Sequence, residues 1–328
     1  MNVMKRLRPI AVAAGVMLAV VACGGNGGSS GTSNKGTIVI GADVPLNGTD
    51  ASQGQPIANG AELAIQKQGS IDGFKLQFKD YDDAVNGTHD PSKGAQNVQA
   101  MAGDAQILGM IGPLNSNVGQ AEIPIGAQNT LPMISPATTN QCLTRDDLNC
   151  NGAASALRKG NPNPFFRIVT IDTNQGPAMA DYAYNQLKLR KVAVGDDNET
   201  YGLGIANAFA GEFKKLGGQV VQQQNFDWQS TQDYTPFLQK AKNAGAQGIY
   251  WGGVTATNSC VPRQEMASVG FTDTTPYMGG DGIIQDSNCV KAAGAMAPGT
   301  YATIAAINPQ QVPTAKSAIS AYNKQFGS

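Results

Sequence analysis

Two hydroxyl-rich runs have the residue types and spacing to bind a small polar molecule. Gly112-Pro113-Leu114-Asn115-Ser116 follows the apolar run 107–111 and precedes a helical pattern. Ser116 therefore falls at a helix N-terminus, where free backbone N–H groups and the positive end of the dipole favour an anion. Ser135-Pro136-Ala137-Thr138-Thr139-Asn140 follows a second apolar run, 131–134. Taken alone, either run is also compatible with simple capping or turn chemistry. The single histidine, His89, lies beside Asp90-Pro91 and is expected at the surface of a turn. The acidic pairs Asp82-Asp83, Asp146-Asp147 and Asp196-Asp197 read as solvated loop ends. Gly202-Leu203-Gly204 has Asn207 where a dinucleotide fingerprint needs its third glycine. From residue 37 onward the chain has no G-x-S-x-G, and nowhere does it have a Walker A, H-E-x-x-H or C-x-x-C run.

Composition narrows the class further. The 328 residues carry 14% charged and 41% hydrophobic side chains, with 40 glycines. That hydrophobic content excludes a disordered chain, and the length suits about two domains. With 23 basic against 24 acidic residues, no basic field exists to neutralise nucleic-acid phosphates. One histidine argues against His-based triads and His-dependent metal sites. No metal, no cofactor and no catalysis are expected.

The N-terminus reads as an address. Lys5, Arg6 and Arg8 precede an apolar run, 10–22, that is too short to span a membrane. It ends Val20-Val21-Ala22-Cys23, which resembles a bacterial lipobox. Residues 1–22 are then a lipoprotein signal peptide, Cys23 carries the lipid, and the Gly/Ser/Asn-rich stretch 23–36 is a flexible tether. Four cysteines remain, an even number in an exported chain. Three pairings are possible; the expected one joins Cys142 to Cys150 and Cys260 to Cys289.

From residue 37 onward strand and helix patterns alternate. Strands are expected at 37–42, 75–81, 107–111, 131–134, 166–170, 191–194, 219–223, 248–251 and 276–279. Helices are expected at 56–68, from 90, and at 176–187, 201–216, 234–243 and 262–269, with a last one at about 314–326. In the first helix Ile57, Ala61, Ala64 and Ile65 share one face. Such alternation means parallel sheets with helices on both faces, an α/β fold of two Rossmann-like lobes. Open α/β sheets bind ligands at the carboxyl ends of their strands, where both hydroxyl-rich runs lie.

The chain resembles the branched-chain amino acid (Leu/Ile/Val-type) substrate-binding proteins of ABC transporters, two-lobed type I periplasmic binding proteins. The matching runs include Tyr81-Asp82-Asp83, Ile111-Gly112-Pro113-Leu114-Asn115-Ser116, Ile134-Ser135-Pro136 and Asp172-Thr173-Asn174-Gln175-Gly176-Pro177. Tyr201-Gly202-Leu203-Gly204, Trp251-Gly252-Gly253 and Met278-Gly279-Gly280-Asp281-Gly282 continue the series in order. The resemblance implies lobe I at 37–167 plus 304–328 and lobe II at 168–303, with hinge crossovers near 167–169 and 303–305. It implies that Ser116 and Thr139, helped by backbone near Asn115, bind a ligand carboxylate. The Ala137 carbonyl and the Asp281 carboxylate would hold the ammonium, and Tyr201 would cover the ligand on closure.

Departures from the family pattern bear on the ligand. Gln53 and Val254 stand where aromatic walls are common, Asp281 replaces a longer glutamate, and 141–164 looks like an insertion. The implied protein is an extracytoplasmic, lipid-anchored receptor that delivers an amino acid or close analogue to an ABC permease. Its membrane contact is through the lipid only. An envelope sensory lipoprotein of the same fold and an exported α/β enzyme are the alternatives. The resemblance also leads one to expect a chain that stops short of the family's last strands and helices, leaving apolar surface on lobe I uncovered.

Overall fold

The structure, a computed structural model, describes residues 35–283 and 287–327; Cys23, the expected signal segment and most of the tether lie outside them. The chain starts β1 (Thr37–Val44), α1 (Ala51–Gln68), β2 (Ser70–Ile71), β3 (Phe74–Asp82), β4 (Ala84–Val85), β5 (Thr88–His89) and α2 (Pro91–Ala102). Next come β6 (Ile107–Ile111), α3 (Ser116–Asn129), β7 (Met133–Ser135), α4 (Ala153–Arg158), β8 (Phe165–Arg167), α5 (Asp172–Asp181), β9 (Lys191–Asp196) and α6 (Thr200–Lys215). The remainder is β10 (Gln219–Asn225), α7 (Thr235–Asn243), β11 (Gly248–Gly252), α8 (Val261–Glu265), β12 (Tyr277–Gly279), α9 (Ser287–Ala293), β13 (Thr300–Ala302) and α10 (Lys316–Phe326).

Two sheets organise these elements. The first has strand order β2-β3-β1-β6-β7-β8 and the second β10-β9-β11-β12-β13. Within these two sheets every pairing is parallel except β2 with β3, and β4 pairs with β5 as a separate antiparallel hairpin. Parallel strands need crossover helices, which the alternating sequence supplies. In the first sheet the chain steps from β1 out to β3 and then back past β1 to β6. In the second it steps from β9 to β10 and back to β11. Each reversal leaves a crevice at the strands' carboxyl ends, the usual place for a ligand.

Both faces of the second sheet are packed. Tyr250 stacks on Phe209 of α6 with centroids 3.9 Å apart, while its neighbour Trp251 points the other way onto Phe226, Tyr234 and Phe237. Successive strand residues face opposite sides, so a strand covered on both sides is apolar throughout. The first sheet buries Met110, Met133 and Phe165 beneath α2 and α3 with Val98, Met101 and Ile123. Its other face is covered less. Ile134 and Phe166 are register partners yet 46% and 53% exposed.

Several expectations shift in detail. The first helix begins at Ala51, five residues early, and Ala64 is exposed while Ala58 is buried. Asp90 caps α2 as expected, its side chain accepting the Lys93 N–H at 2.7 Å, with Pro91 at the first helical position. β13 and α9 were not read from the sequence, because neither carries a clear period. The chain crosses between the halves at 168–171 and 303–305, and the two connections touch where the Thr170 N–H donates to the Ala305 carbonyl at 2.9 Å.

Candidate functional site

The loops after β6 and β7 are fastened to each other. Ser135 Oγ donates to the Pro113 carbonyl at 2.8 Å and accepts the Thr138 N–H at 2.8 Å. Arg167, at the end of β8, donates to the carbonyls of Thr138 and Asn140, both at 2.9 Å. The guanidinium's fixed fork holds the 138–140 turn in one shape. This turn presents Thr139 and Ala137 towards the second half, beside Asn115 at the N-cap of α3.

The second half brings Tyr201 and Asp281 to meet them. Tyr201 lies in the first turn of α6, and its hydroxyl donates to Asp281 Oδ1 at 3.1 Å while accepting the Gly282 N–H at 3.1 Å. Gly280 is required there, because a Cβ would collide with the Tyr201 hydroxyl. Gln175 of α5 donates to the same Asp281 oxygen at 2.6 Å and is itself held by the Thr303 hydroxyl at 2.9 Å. Burial pushes the Asp281 carboxyl above its ordinary range, and the bonds from Gln175 and Tyr201 partly counter this.

Seven of the eight residues expected at a ligand site line one small cavity: Gln53, Asn115, Ala137, Thr139, Tyr201, Val254 and Asp281. Leu114 and Gly282 complete its wall. Ser116 does not line it; it is buried and its Oγ accepts the Asn140 N–H at 3.3 Å. The cavity holds about 20 Å³, room for roughly one water. The halves are therefore closed on each other. Asn140 Nδ2 donates to the Thr200 carbonyl at 2.7 Å, the Thr200 hydroxyl to Gln120 at 2.9 Å, and Gln53 to the Gly282 carbonyl at 3.4 Å. A larger cleft of about 450 Å³ lies along the α3–α6 rim, but its lining, including Gln120, Asn140, Thr173 and Asn207, carries no charged group. It offers nothing to hold an ionic ligand, so the small cavity is the candidate site.

Sequence reasoning missed the support beneath this site. Gln175 fell within a matching run but was given no role, and nothing in the spacing of Arg167 signals that it clamps a loop. Two readings are corrected. His89 is buried, not at the surface: the β4–β5 hairpin folds it inward against the start of α1. Of the acidic pairs only Asp146-Asp147 is solvated; Asp83, Asp196 and Asp197 are buried. Gly202-Leu203-Gly204 lies inside α6, where a Cβ at 202 would collide with Asp197 Oδ1, so its role is packing. Cys142 and Cys150, and Cys260 and Cys289, lie at disulfide distance, with Cα–Cα separations of 5.1 and 5.2 Å.

Asp43, Asp83 and Glu122 form a second acidic feature beneath the first half's crevice. Their carboxylate oxygens lie within 4.8 Å of one another, all buried. Asn97 donates to Asp43 at 2.8 Å. Burial pushes all three carboxyls up, Asp43 to about 6. The reading of no metal from the sequence did not foresee a cluster whose geometry could accept a cation.

Two parallel α/β halves, enclosing a polar cavity between the carboxyl ends of both sheets, define a two-lobed solute-binding protein. The periplasmic binding protein family matches residues 37–328, and the chain belongs to it. It is 30% identical over 287 residues to the Leu/Ile/Val-binding protein homolog 3 of Brucella melitensis, covering 87% of this chain and 71% of that one. An amino acid binding protein of Pseudomonas aeruginosa is 27% identical, covering 86% and 70%. Among solved structures, a leucine binding protein of Thermotoga maritima superposes with TM-score 0.73 at 25% identity, covering 89% of this chain and 77% of that one. A branched-chain amino acid transporter substrate binding protein of Streptococcus pneumoniae, in complex with isoleucine, shares the fold with TM-score 0.72 at 24% identity, covering 89% and 78%. The chain spans 66–71% of the length of the Brucella relatives it matches. The fold is that of type I periplasmic binding proteins.

Proposed function

We propose that this protein is an extracytoplasmic receptor that encloses an amino acid, or a close analogue, between two lobes and delivers it to an ABC permease. The lobes are 37–167 plus 304–328 and 168–303. The observation that carries the reading is a buried carboxylate, Asp281, reached by Tyr201 from the same half and opposed by Asn115, Ala137 and Thr139 from the other. A zwitterion needs both ends satisfied once water is excluded. Asp281 and the Ala137 carbonyl accept from its ammonium; Thr139 and the backbone around Asn115 and Ser116 donate to its carboxylate. An ammonium beside Asp281 favours the ionised carboxylate that burial opposes. Gln53 and Val254 flank the side-chain space, which favours a small or polar side chain over a bulky branched one. The cleft must open by a hinge at the two crossovers to admit ligand, since the closed cavity is too small.

The reading extends to location. Cys23 carries a lipid that tethers the receptor outside the cytoplasmic membrane, and the two cysteine pairs form disulfides suited to that compartment. No bond of the ligand is made or broken, which accords with solute-binding relatives. A thermal-shift panel of amino acids, amides and small acids identifies the ligand. Asp281→Asn then weakens the amino acid by roughly 10- to 100-fold, from about 1.5–3 kcal/mol per charge-assisted bond. A des-amino analogue loses far less. Equal losses for both would remove Asp281 from the ammonium site.

A further inference from the structure

We propose that His89 is an interlobe latch, an imidazolium clasped between Asp50 of its own half and Glu199 of the other, which holds the cleft closed. The proposal rests on the two-lobed receptor reading and adds a residue that sets its open–closed balance. His89 Nδ1 lies 2.5 Å from Asp50 Oδ2, and Nε2 lies 2.9 Å from Glu199 Oε2. The His89 and Asp50 side chains are 0% and 3% exposed, and that of Glu199 is 19% exposed. An ionised carboxylate only accepts hydrogen bonds. With a carboxylate at each ring nitrogen, both nitrogens must donate, and only the charged ring does so. Burial by itself lowers the pKa of His89, but the bonds and charges of Asp50 and Glu199 outweigh it and raise the pKa to about 10.

The position of the clasp ties it to the ligand cavity. Asp50 is the N-cap of α1, which carries Gln53 one turn on, and Glu199 is the N-cap of α6, which carries Tyr201. Both Gln53 and Tyr201 line the cavity. Drawing Asp50 and Glu199 onto one ring draws these two helix starts together over the site. Among the described residues it is the one ion pair that joins the two halves. Glu199 is further fixed by Trp228, whose Nε1 donates to Oε1 at 3.0 Å. The other ionisable groups near the clasp are Asp83, on the chain just before the hairpin, and Asp197, behind Glu199; burial raises the pKa of both, so the charge of the ring rests on Asp50 and Glu199. Deprotonating the ring leaves two carboxylates with one donor between them, so the clasp fails as pH rises through the raised His89 pKa.

The test reads closure without ligand, so it stands apart from the ligand assignment. Fluorophores placed on the exposed faces of α2 and α7 report the separation of the halves in ligand-free protein, with small-angle scattering as a second measure. Wild type is compact at pH 7.5 and opens by pH 10.5. His89→Gln lowers the closed-to-open ratio at least 10-fold at pH 7.5 and is then flat to pH 10.5. Glu199→Gln, which removes charge at the more exposed end, opens the protein similarly, and the double variant opens no further than either single one. If His89→Gln fails to fold, Glu199→Gln carries the test alone. Equal separations for wild type and Glu199→Gln at pH 7.5, or the same alkaline opening in wild type and variant, would overturn the latch. A ligand panel without a hit, alongside a latch that opens as described, would instead sink the amino-acid reading.

Discussion

Replacing Asp43 by Asn tests how the first half tolerates three buried acids. Asp43 is fully buried, and its folded pKa of about 6 stands above the ordinary 3.8 because burial opposes its charge. Between those values the native state binds a proton that the unfolded chain releases. The protein therefore loses stability as pH rises from about 4 through 6. A shift of about 2 units corresponds to about 3 kcal/mol at 1.36 kcal/mol per unit, an order-of-magnitude figure. Asparagine keeps an acceptor for Asn97 and removes one of the three neighbouring buried acids. Asp43→Asn should match wild type near pH 4 and exceed it by about 3 kcal/mol at pH 8, roughly 5–10 °C in Tm. Calorimetry from pH 4 to 8.5 in chelator measures this. A difference that is flat with pH, or a variant less stable at pH 8, would refute the reasoning. Calcium that stabilises wild type but not the variant at pH 8 would show that the cluster holds a cation rather than protons.

Two further outcomes concern the cysteines. Non-reducing peptide mapping should recover Cys142 with Cys150 and Cys260 with Cys289, spaced 8 and 29 residues apart. Their loss costs about 2.5 and about 3.5 kcal/mol in the chain-entropy model, and two free thiols in the exported protein would remove at least one bridge. Cys23→Ala should release the protein from the membrane fraction, and continued attachment would contradict the lipobox.

The alternating apolar and amphipathic segments determined the two-sheet α/β class, because a period of two or 3.6 residues is a local property written in the chain. The capped start of α2 at Asp90-Pro91 was legible for the same reason. The cavity residues Asn115, Thr139, Tyr201 and Asp281 were legible only through resemblance of ordered runs, since no spacing rule links residue 115 to residue 281. Tertiary structure alone decided the rest. A histidine beside a turn signal and an aspartate pair at a strand end look solvated in sequence, because exposure is set by what packs over them. The β4–β5 hairpin turns His89 inward onto Asp50, and closure of the second half brings Glu199 to its other nitrogen. Gln175 holds Asp281 across 106 positions of chain and Arg167 holds its partners across 23 to 29, distances over which side-chain contact depends on how the sheets and crossovers fold, not on any pattern within the segment itself.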